Sequence, residues 1–248
     1  PASELPLRQL FIDAADFHDL GRLATKALQA GTSLVHEMWL KTWHGRRTLS
    51  RGLMNLELAR AGALEGRVLD LGAGERPSYL QFLSLGAGSR FITLDVAGDS
   101  RPSVVANIEE ALPFGDCTVD VVLLLNVLEH IYDHAGVIRE IGRVLRPGGT
   151  LYLAVPFLVA VHTAGGHGRF HVDDFFRYSR STLGRLLRDA GGFAEVAITA
   201  HGGLFTAAAN LLQPAMTFAP LWVPALCAAH LLDRLVDGRF PQNREKWV

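Results

Sequence analysis

Short apolar runs alternate with amphipathic stretches through the middle of the chain. Four of the runs predict strands of a parallel sheet, because unbroken apolar runs suit strands that are covered on both faces. These strands are expected at Val68–Leu71, Phe91–Leu94, Val121–Leu125 and Leu151–Val155. Strands that alternate with helical segments are typical of an α/β domain with helices on both faces of the sheet.

Capping and helix-breaking residues place the helices between these strands. Asp133 is expected to cap a helix that ends at Arg146–Gly149, where a basic residue is followed by proline and two glycines. Ser181 is expected to open another helix, which Gly191 and Gly192 close. The alternation of Phe193–Thr199 then predicts a further strand.

Both ends of the chain differ in pattern from this core. Up to Gly66, apolar residues recur at spacings of three and four, which predicts helices that cap the core. We therefore predict an N-terminal helical cap over 1–66, an α/β core over 67–203 and a hydrophobic helical addition over 204–248.

Composition narrows the classes of function. The 248 residues suffice for one large domain, and 24 basic against 25 acidic residues give no electrostatic basis for nucleic-acid binding. The two cysteines, Cys117 and Cys227, lie far apart, and no signal-peptide pattern precedes the helical segment. These features predict a cytoplasmic protein.

The apolar surplus is concentrated in one run, 196–232, which contains no Asp, Glu, Lys or Arg. A single membrane-spanning helix is disfavoured because Pro214, Pro220 and Pro224 would break it. Short helices that line an apolar acceptor pocket fit the prolines, as does a surface for a second subunit or for peripheral membrane contact. The sequence leaves these interpretations of 204–232 open.

The first predicted strand runs into a glycine turn that suits a ligand, and a helix is expected to open after the turn at Pro77. Gly72 and Gly74 lack side chains, so backbone N–H groups can approach a bound molecule closely. Asp95 ends the next strand, where a carboxylate can accept hydrogen bonds from both hydroxyls of a ribose. A dinucleotide fingerprint would require a third glycine at Pro77. The pattern therefore favours a nucleoside ligand over a nicotinamide dinucleotide.

Further blocks continue in register after this turn. They are Val68–Gly74, Ile92–Asp95, Asn107–Phe114, Val119–Val122, Asn126–His130 and Arg143–Leu151. In this order the chain resembles the class I S-adenosylmethionine-dependent methyltransferases, most closely the small-molecule branch similar to ubiquinone and menaquinone biosynthesis enzymes. The resemblance implies a Rossmann-like sheet, S-adenosyl-L-methionine as cofactor with S-adenosyl-L-homocysteine as product, and a small, apolar or lipid-like acceptor.

Residue roles follow from the resemblance. Around the cofactor it places Asp70, Gly72, Gly74, Asp95, Asn107, Ile108 and Asn126. The first three would surround the methionine part, Asp95 would bind the ribose, and Asn126 would meet the sulfonium. Asn107 and Ile108 would flank the adenine. The chain departs from its relatives at Arg76, where they often carry glycine, and at Asn107, where they commonly carry aspartate.

Methyl transfer to a hydroxyl also requires a base that removes the proton. Three histidines are candidates for this catalytic role: His130, His167 and His171. Because these bases are available, we prefer O-methylation as the reaction. Phe175, Arg177 and Tyr178 match a segment that lies at the acceptor pocket in such methyltransferases.

Two other interpretations were weighed against an enzyme of this kind. The histidines and carboxylates near 162–174 match no tight metal-ligand spacing, so no metal is predicted. The alternative function is a non-catalytic methyltransferase-like module whose apolar tail binds a membrane or a protein partner.

Overall fold

The computed structural model describes residues 49–74, 79–159, 161, 173–200 and 203–212, with the short pieces 228–229, 232–233 and 235–236. The described residues fall into two compact units. One contains 58–198, and the other contains 49–57 and the residues from 199 onward.

The first unit is built of alternating strands and helices. Its strands are β1 Ala63–Leu64, β2 Arg67–Leu71, β3 Ser84–Leu85, β4 Arg90–Asp95, β5 Val104–Val105, β6 Val119–Leu125 and β7 Leu145–Ala154. The helices are α1 Leu49–Arg60, which begins in the other unit, α2 His134–Val144 and α3 Arg180–Gly191. Single 3-10 turns form at Leu80–Phe82, Gly98–Ser100 and Leu128–His130. The four strands predicted from apolar runs are confirmed. Three have slightly wider bounds, and β7 begins six residues before the expected Leu151 and ends one residue before the expected Val155.

Five strands form one parallel sheet in the order β5-β4-β2-β6-β7. Within this sheet the first strand in the chain is β2. Strands β4 and β5 then add on one side of it, and β6 and β7 add on the other side. This is the strand order of a Rossmann-like sheet. The predicted α/β fold class is therefore confirmed.

One face of this sheet packs against α2 and α3. In register across the strands, the residues of that face are Leu69, Leu71, Ile92, Leu94, Val122, Leu124, Leu151 and Leu153. They share a core with Ile138 and Ile141 of α2 and with Leu183 and Leu187 of α3. Leu123, which points the opposite way along β6, is also fully buried. At β6 the sheet is thus covered on both faces, as the apolar run predicted.

The helix caps agree with the sequence in one case and differ in another. Asp133 caps α2, because its Oδ1 accepts a hydrogen bond from the N–H of Gly136 at 3.0 Å. Helix α3 is capped two residues before the expected Ser181, since Oγ of Ser179 accepts from the N–H of Thr182. Gly192, with a φ of +66°, provides the left-handed cap at its end.

Two predicted elements are wrong. Residues 193–199 form no strand beyond a single bridge at Phe193; Phe193, Val196 and Ile198 instead pack on the core of α2 and α3. From Tyr79 onward, the helix expected after the glycine turn is a single 3-10 turn. Little chain remains for a helix because Ser84–Leu85 pairs with β1, and Gly86 donates to Leu64 O at 2.9 Å.

In the second unit, helix α4 spans Leu204–Leu212 at the start of the uncharged run. Asp233 is the first charged residue after that run and is 3% exposed. Its carboxylate accepts hydrogen bonds from the N–H groups of Gly203, Phe205 and Thr206 at 2.9, 2.7 and 2.8 Å. It therefore caps α4 from a distant part of the chain.

Most of the two predicted end segments lies outside the described residues, including 1–48 and 213–227. None of the helices in the described part of the chain has the length and apolarity needed to cross a bilayer.

We expect Asp233→Ala to lower the free energy of unfolding by about 2–3 kcal/mol, because three N–H groups lose a charged acceptor in a buried setting. Urea denaturation measures the change. Asp189→Ala is the control, since Asp189 is exposed and paired with Arg185 on α3, where the loss is expected to stay within about 0.5 kcal/mol. Equal losses for both variants would show that the cap contributes nothing.

Candidate functional site

The carboxyl ends of three neighbouring strands meet at one edge of the sheet. Asp95 ends β4, Gly72 follows β2, and Asn126 follows β6. The chain leaves β2 towards β4 on one side and later returns from β5 to β6 on the other side. The strand order therefore reverses beside β2. Ligands of open α/β sheets bind at this kind of reversal.

The glycine turn after β2 requires glycine for two different reasons. Gly72 and Gly74 have φ values of +71° and +65°, which L side chains rarely adopt. A Cβ on Gly72 would lie 2.7 Å from Cγ2 of Val127, so this position is also closed by packing. No atom of the described residues lies within 4 Å of the corresponding point on Gly74. The turn is thus tightly packed at Gly72 and open at Gly74.

Asp95 holds this turn from the neighbouring strand. Its Oδ2 accepts a hydrogen bond from the N–H of Gly74 at 2.8 Å, and its Oδ1 accepts from the N–H of Ala97 at 2.9 Å. The N–H of Gly72 donates to Leu94 O at 2.8 Å. Each carboxylate oxygen has a second lone pair, so Asp95 can accept further hydrogen bonds. The donor and acceptor set fits the two hydroxyls of a ribose.

Asp70 lies on β2 with its side chain on the face opposite α2 and α3, and it is fully buried. The hydroxyl of Tyr79 lies 3.0 Å from Oδ1 and 2.8 Å from Oδ2 of this carboxyl and donates to it. Burial raises the pKa of Asp70 to about 7, the Tyr79 hydrogen bond acts in the opposite direction, and the charge of Asp95 adds to the increase.

The raised pKa of Asp70 predicts a pH dependence of stability. From its ordinary pKa of 3.8 to about 7, the folded protein binds more protons than the unfolded chain, so stability falls as the pH rises through this range. We expect Asp70→Asn to gain stability relative to the wild type between pH 5 and pH 8, by roughly 3 kcal/mol.

Urea denaturation at several pH values measures this difference. Asp99→Asn, which removes an exposed carboxylate from the nearby 3-10 turn, is the matched control and should follow the wild type at each pH. Parallel stability curves for wild type and Asp70→Asn would contradict the prediction.

The loop after β5 carries the two residues that the resemblance assigns to adenine. Oδ1 of Asn107 accepts from the N–H of Glu109 at 3.0 Å, and Ile108 is 7% exposed within the core. The N–H of Ala106 donates to Asp95 O at 3.1 Å, which joins this loop to the ribose position. With its Oδ1 bound locally, Asn107 can offer its amide N–H groups to a ring nitrogen.

Asn126 opens the turn after β6 in a left-handed conformation, with a φ of +57°. Asparagine tolerates this region better than most residues, and such conformations are enriched at functional sites. Its N–H donates to Ala154 O at 2.8 Å, which fixes it to the end of β7. Val127, the next residue, is the one that packs on Gly72. The turns after β2 and β6 are therefore in direct contact.

The 3-10 turn Leu128–His130 binds the segment 173–178 through each of its residues. Leu128 O accepts from the hydroxyl of Tyr178 at 3.1 Å, and Glu129 O accepts from the N–H groups of Phe175 and Phe176. Nδ1 of His130 lies 2.7 Å from Asp173 O. A carbonyl can only accept, so Nδ1 carries a hydrogen, and in the neutral form of the ring the lone pair is on Nε2. Nε2 lies 3.8 Å from Oε1 of the fully buried Glu129.

The three predicted acceptor residues lie in different surroundings. Phe175 is 46% exposed and makes an edge-to-face contact with Tyr132 at 5.5 Å between ring centroids. Arg177 forms a two-pronged ion pair with Asp174, which raises the pKa of its guanidinium. Tyr178 is buried in the core, where burial and the charge of Glu129 raise the pKa of its hydroxyl.

The structure does not describe the remaining predicted site residues. His167 and His171 lie outside the described residues, as do Arg76 and Pro77. Within the described ranges, no group of three or more His, Cys, Asp or Glu side chains is arranged to hold a metal ion.

The structure adds three residues that sequence reasoning missed. Tyr79 binds Asp70, and Val127 packs on Gly72. Oε1 of Glu109 accepts from the N–H groups of Tyr132 and Asp133, which ties the loop after β5 to the start of α2. No local pattern signals these contacts, because each joins segments that only the folded sheet brings together.

Part of the chain that contains these strands is similar to known proteins. Residues 69–153 match a protein family described as a methyltransferase domain. A probable S-adenosylmethionine-dependent methyltransferase of Mycobacterium tuberculosis is 37% identical over 102 residues, covering 40% of this chain and 34% of that protein. A demethylmenaquinone methyltransferase of Mycolicibacterium vanbaalenii is 37% identical over 90 residues, covering 34% of this chain and 40% of that protein.

The chain spans less than half the length of these curated relatives. Among solved structures, a complex of the Haloferax volcanii Trm112 methyltransferase activator and a methyltransferase partner matches at 26% identity with a TM-score of 0.43. That match covers 62% of this chain and 73% of the other.

Proposed function

We propose that the protein methylates a small, apolar or lipid-like acceptor. The premise is that the chain carries a class I S-adenosylmethionine-dependent methyltransferase domain over residues 69–153. The observation that carries this proposal is the joined edge of β4, β2 and β6. There the Asp95 carboxylate accepts a hydrogen bond from Gly74, and Gly72 of the same turn packs against Val127, the residue that follows Asn126.

We assign the cofactor contacts along this edge. Asp70, Gly72 and Gly74 would surround the methionine part and Asp95 the ribose. Support comes from the open backbone at Gly74 and the remaining lone pairs of Asp95. Asn107 and Ile108 would flank the adenine, and Asn126, fixed at the end of β6, would face the sulfonium. When bound, the cofactor would supply a methyl group that a nucleophile can attack in line, with S-adenosylhomocysteine as the leaving group.

On the acceptor side, the proposal assigns Phe175 a direct contact, because its ring is partly exposed while its N–H is held by Glu129 O. Arg177 and Tyr178 would act in the same segment. Arg177 is bound to Asp174, and the hydroxyl of Tyr178 is bound to Leu128 O. These two side chains would fix the backbone that presents Phe175.

For an acceptor hydroxyl, we propose a histidine base and therefore O-methylation. His130 supports this role through its oriented ring, since donation from Nδ1 to Asp173 O leaves the lone pair on Nε2. The base would take the hydroxyl proton as the acceptor oxygen bonds to the methyl group and the carbon–sulfur bond breaks. His167 and His171 remain candidates for the same role.

We also propose that 204–232 contacts an apolar partner, either a membrane surface or a second copy of the chain. The partly exposed Leu204, Leu211 and Leu212 of α4 support this. The division into 1–66, 67–203 and 204–248 belongs to the same proposal. Sedimentation and flotation with phospholipid vesicles separate the two partners, and a monomer that does not float would contradict both.

Isothermal titration calorimetry with S-adenosylhomocysteine tests the proposed function. We expect a dissociation constant in the micromolar range, and no detectable binding to folded protein would overturn the proposal. Transfer of tritium from S-adenosyl[methyl-³H]methionine into a lipid and quinone extract of bacterial cells then tests for catalysis. Binding without transfer to any component of such an extract would favour a non-catalytic module.

A further inference from the structure

We propose that Tyr79 is a positioning residue, which closes the glycine turn through the carboxyl of Asp70 and thereby sets the affinity for the cofactor. This inference rests on the proposed function, because the turn serves no cofactor unless the domain binds one. Neither the sequence motifs nor the relatives assign any role to Tyr79.

The hydrogen bond from the hydroxyl of Tyr79 to the carboxyl of Asp70, which we call the clasp, joins the chain after the glycine turn to β2. Asp70 lies on β2 two residues before Gly72, and Tyr79 lies five residues after Gly74, nine residues from Asp70 along the chain. The tyrosine hydroxyl reaches both carboxyl oxygens, at 3.0 and 2.8 Å, and both side chains are buried. A buried hydrogen bond between the two ends of a turn restricts the conformations that the turn can adopt.

The clasp acts on one side of the turn, and β4 holds the other. Gly72 donates to Leu94 O, and Gly74 donates to the carboxylate of Asp95. Those contacts fix the glycines relative to β4, and a second attachment joins residue 79 to β2. The contact between Tyr79 and Asp70 supplies that second attachment. Backbone N–H groups held from both sides are arranged in advance for a ligand, which reduces the entropy lost on binding.

The hydroxyl also acts on the charge of Asp70. A donor to a carboxylate favours its ionised form, whereas burial and the nearby charge of Asp95 favour the neutral acid. Tyr79 and Asp95 are the titratable groups of the described residues that act on Asp70. An ionised Asp70 attracts the cationic amino group of the cofactor, so loss of the hydroxyl weakens binding most where the carboxyl is protonated.

Tyr79→Phe tests the clasp, since it keeps the buried ring and removes only the hydroxyl. We expect its dissociation constant for S-adenosylhomocysteine, measured by calorimetry at pH 7.5, to increase about tenfold. The increase should be larger at pH 6.5 than at pH 8.5, a pH profile that a loss of packing would not produce. Tyr152→Phe, which removes the hydroxyl of a buried tyrosine on β7, is the matched control and should bind as the wild type does.

A second variant keeps the test independent of how Tyr79→Phe folds. Asp70→Asn removes the charge but leaves an oxygen for the tyrosine hydroxyl. We expect it to weaken binding and to reduce the effect of Tyr79→Phe in the double variant. If the wild type binds and Tyr79→Phe binds within twofold of it at every pH, or the two substitutions act additively, the clasp is wrong and the proposed function stands. If the wild type itself does not bind, the proposed function fails.

Discussion

Replacing Asp95 with alanine is expected to weaken binding of S-adenosylhomocysteine by about 100-fold or more. The carboxylate accepts from the N–H groups of Gly74 and Ala97. Its removal therefore releases the glycine turn and also removes the group that would bind the ribose. Hydrogen bonds to a charged group contribute about 1.5–3 kcal/mol each, and a factor of 100 corresponds to about 2.7 kcal/mol. Calorimetry at constant pH and ionic strength measures the change.

Two further variants separate the roles of this carboxylate. Asp95→Asn retains one acceptor oxygen and is expected to fall between alanine and the wild type. Asp99→Ala removes an exposed carboxylate four residues away, so it controls for the change in net charge. An Asp95→Ala protein that is folded by circular dichroism and binds as tightly as the wild type would eliminate Asp95 from the cofactor site.

The sequence predicts best where a local pattern and the fold require the same residues. Leu123 and Leu124 are adjacent and both fully buried, so the apolar run of β6 is a direct consequence of a sheet covered on both faces. Gly72 and Asp95 could be placed for a similar reason, because the end of a parallel strand fixes which edge they occupy. Asn126 follows the same rule at the end of β6.

The sequence predicts poorly where a distant contact decides the local structure. The helix expected after the glycine turn is replaced, from Tyr79 onward, by a 3-10 turn whose first flanking residue binds Asp70. In residues 193–199 the alternation typical of a strand serves packing on α2 and α3 instead. In both places propensity is overridden by packing that the chain acquires only after the sheet forms.

The uncharged run illustrates the same limit. From sequence it is only a stretch without charge, and its meaning depends on what ends it. The structure shows that Asp233, the first charge beyond the run, caps α4 near the beginning of the run. Within the described residues the run thus contains a short helix, Leu204–Leu212, whose first turn is capped by this buried carboxylate.

Gly72→Ala is expected to lower the free energy of unfolding by about 3 kcal/mol in the absence of any ligand. A φ of +71° costs an L residue about 1–2 kcal/mol, and the new Cβ would lie 2.7 Å from Cγ2 of Val127, which adds a packing cost of about 1–3 kcal/mol. Gly74→Ala is the matched control. Its φ of +65° carries the same backbone cost, but no atom in the described part of the chain lies within 4 Å of its Cβ.

The difference between these two glycines isolates the contact between the turns after β2 and β6. Urea denaturation of both variants should show Gly72→Ala as the less stable by about 1–3 kcal/mol, with similar denaturant dependence. Val127→Ala should then restore part of this loss in the Gly72→Ala protein, because it removes both methyl groups that the new Cβ approaches. Equal stability of the two glycine variants, or no restoration by Val127→Ala, would mean that the turns do not constrain each other. Asn126, the proposed residue at the sulfonium, would then lack its link to the cofactor loop.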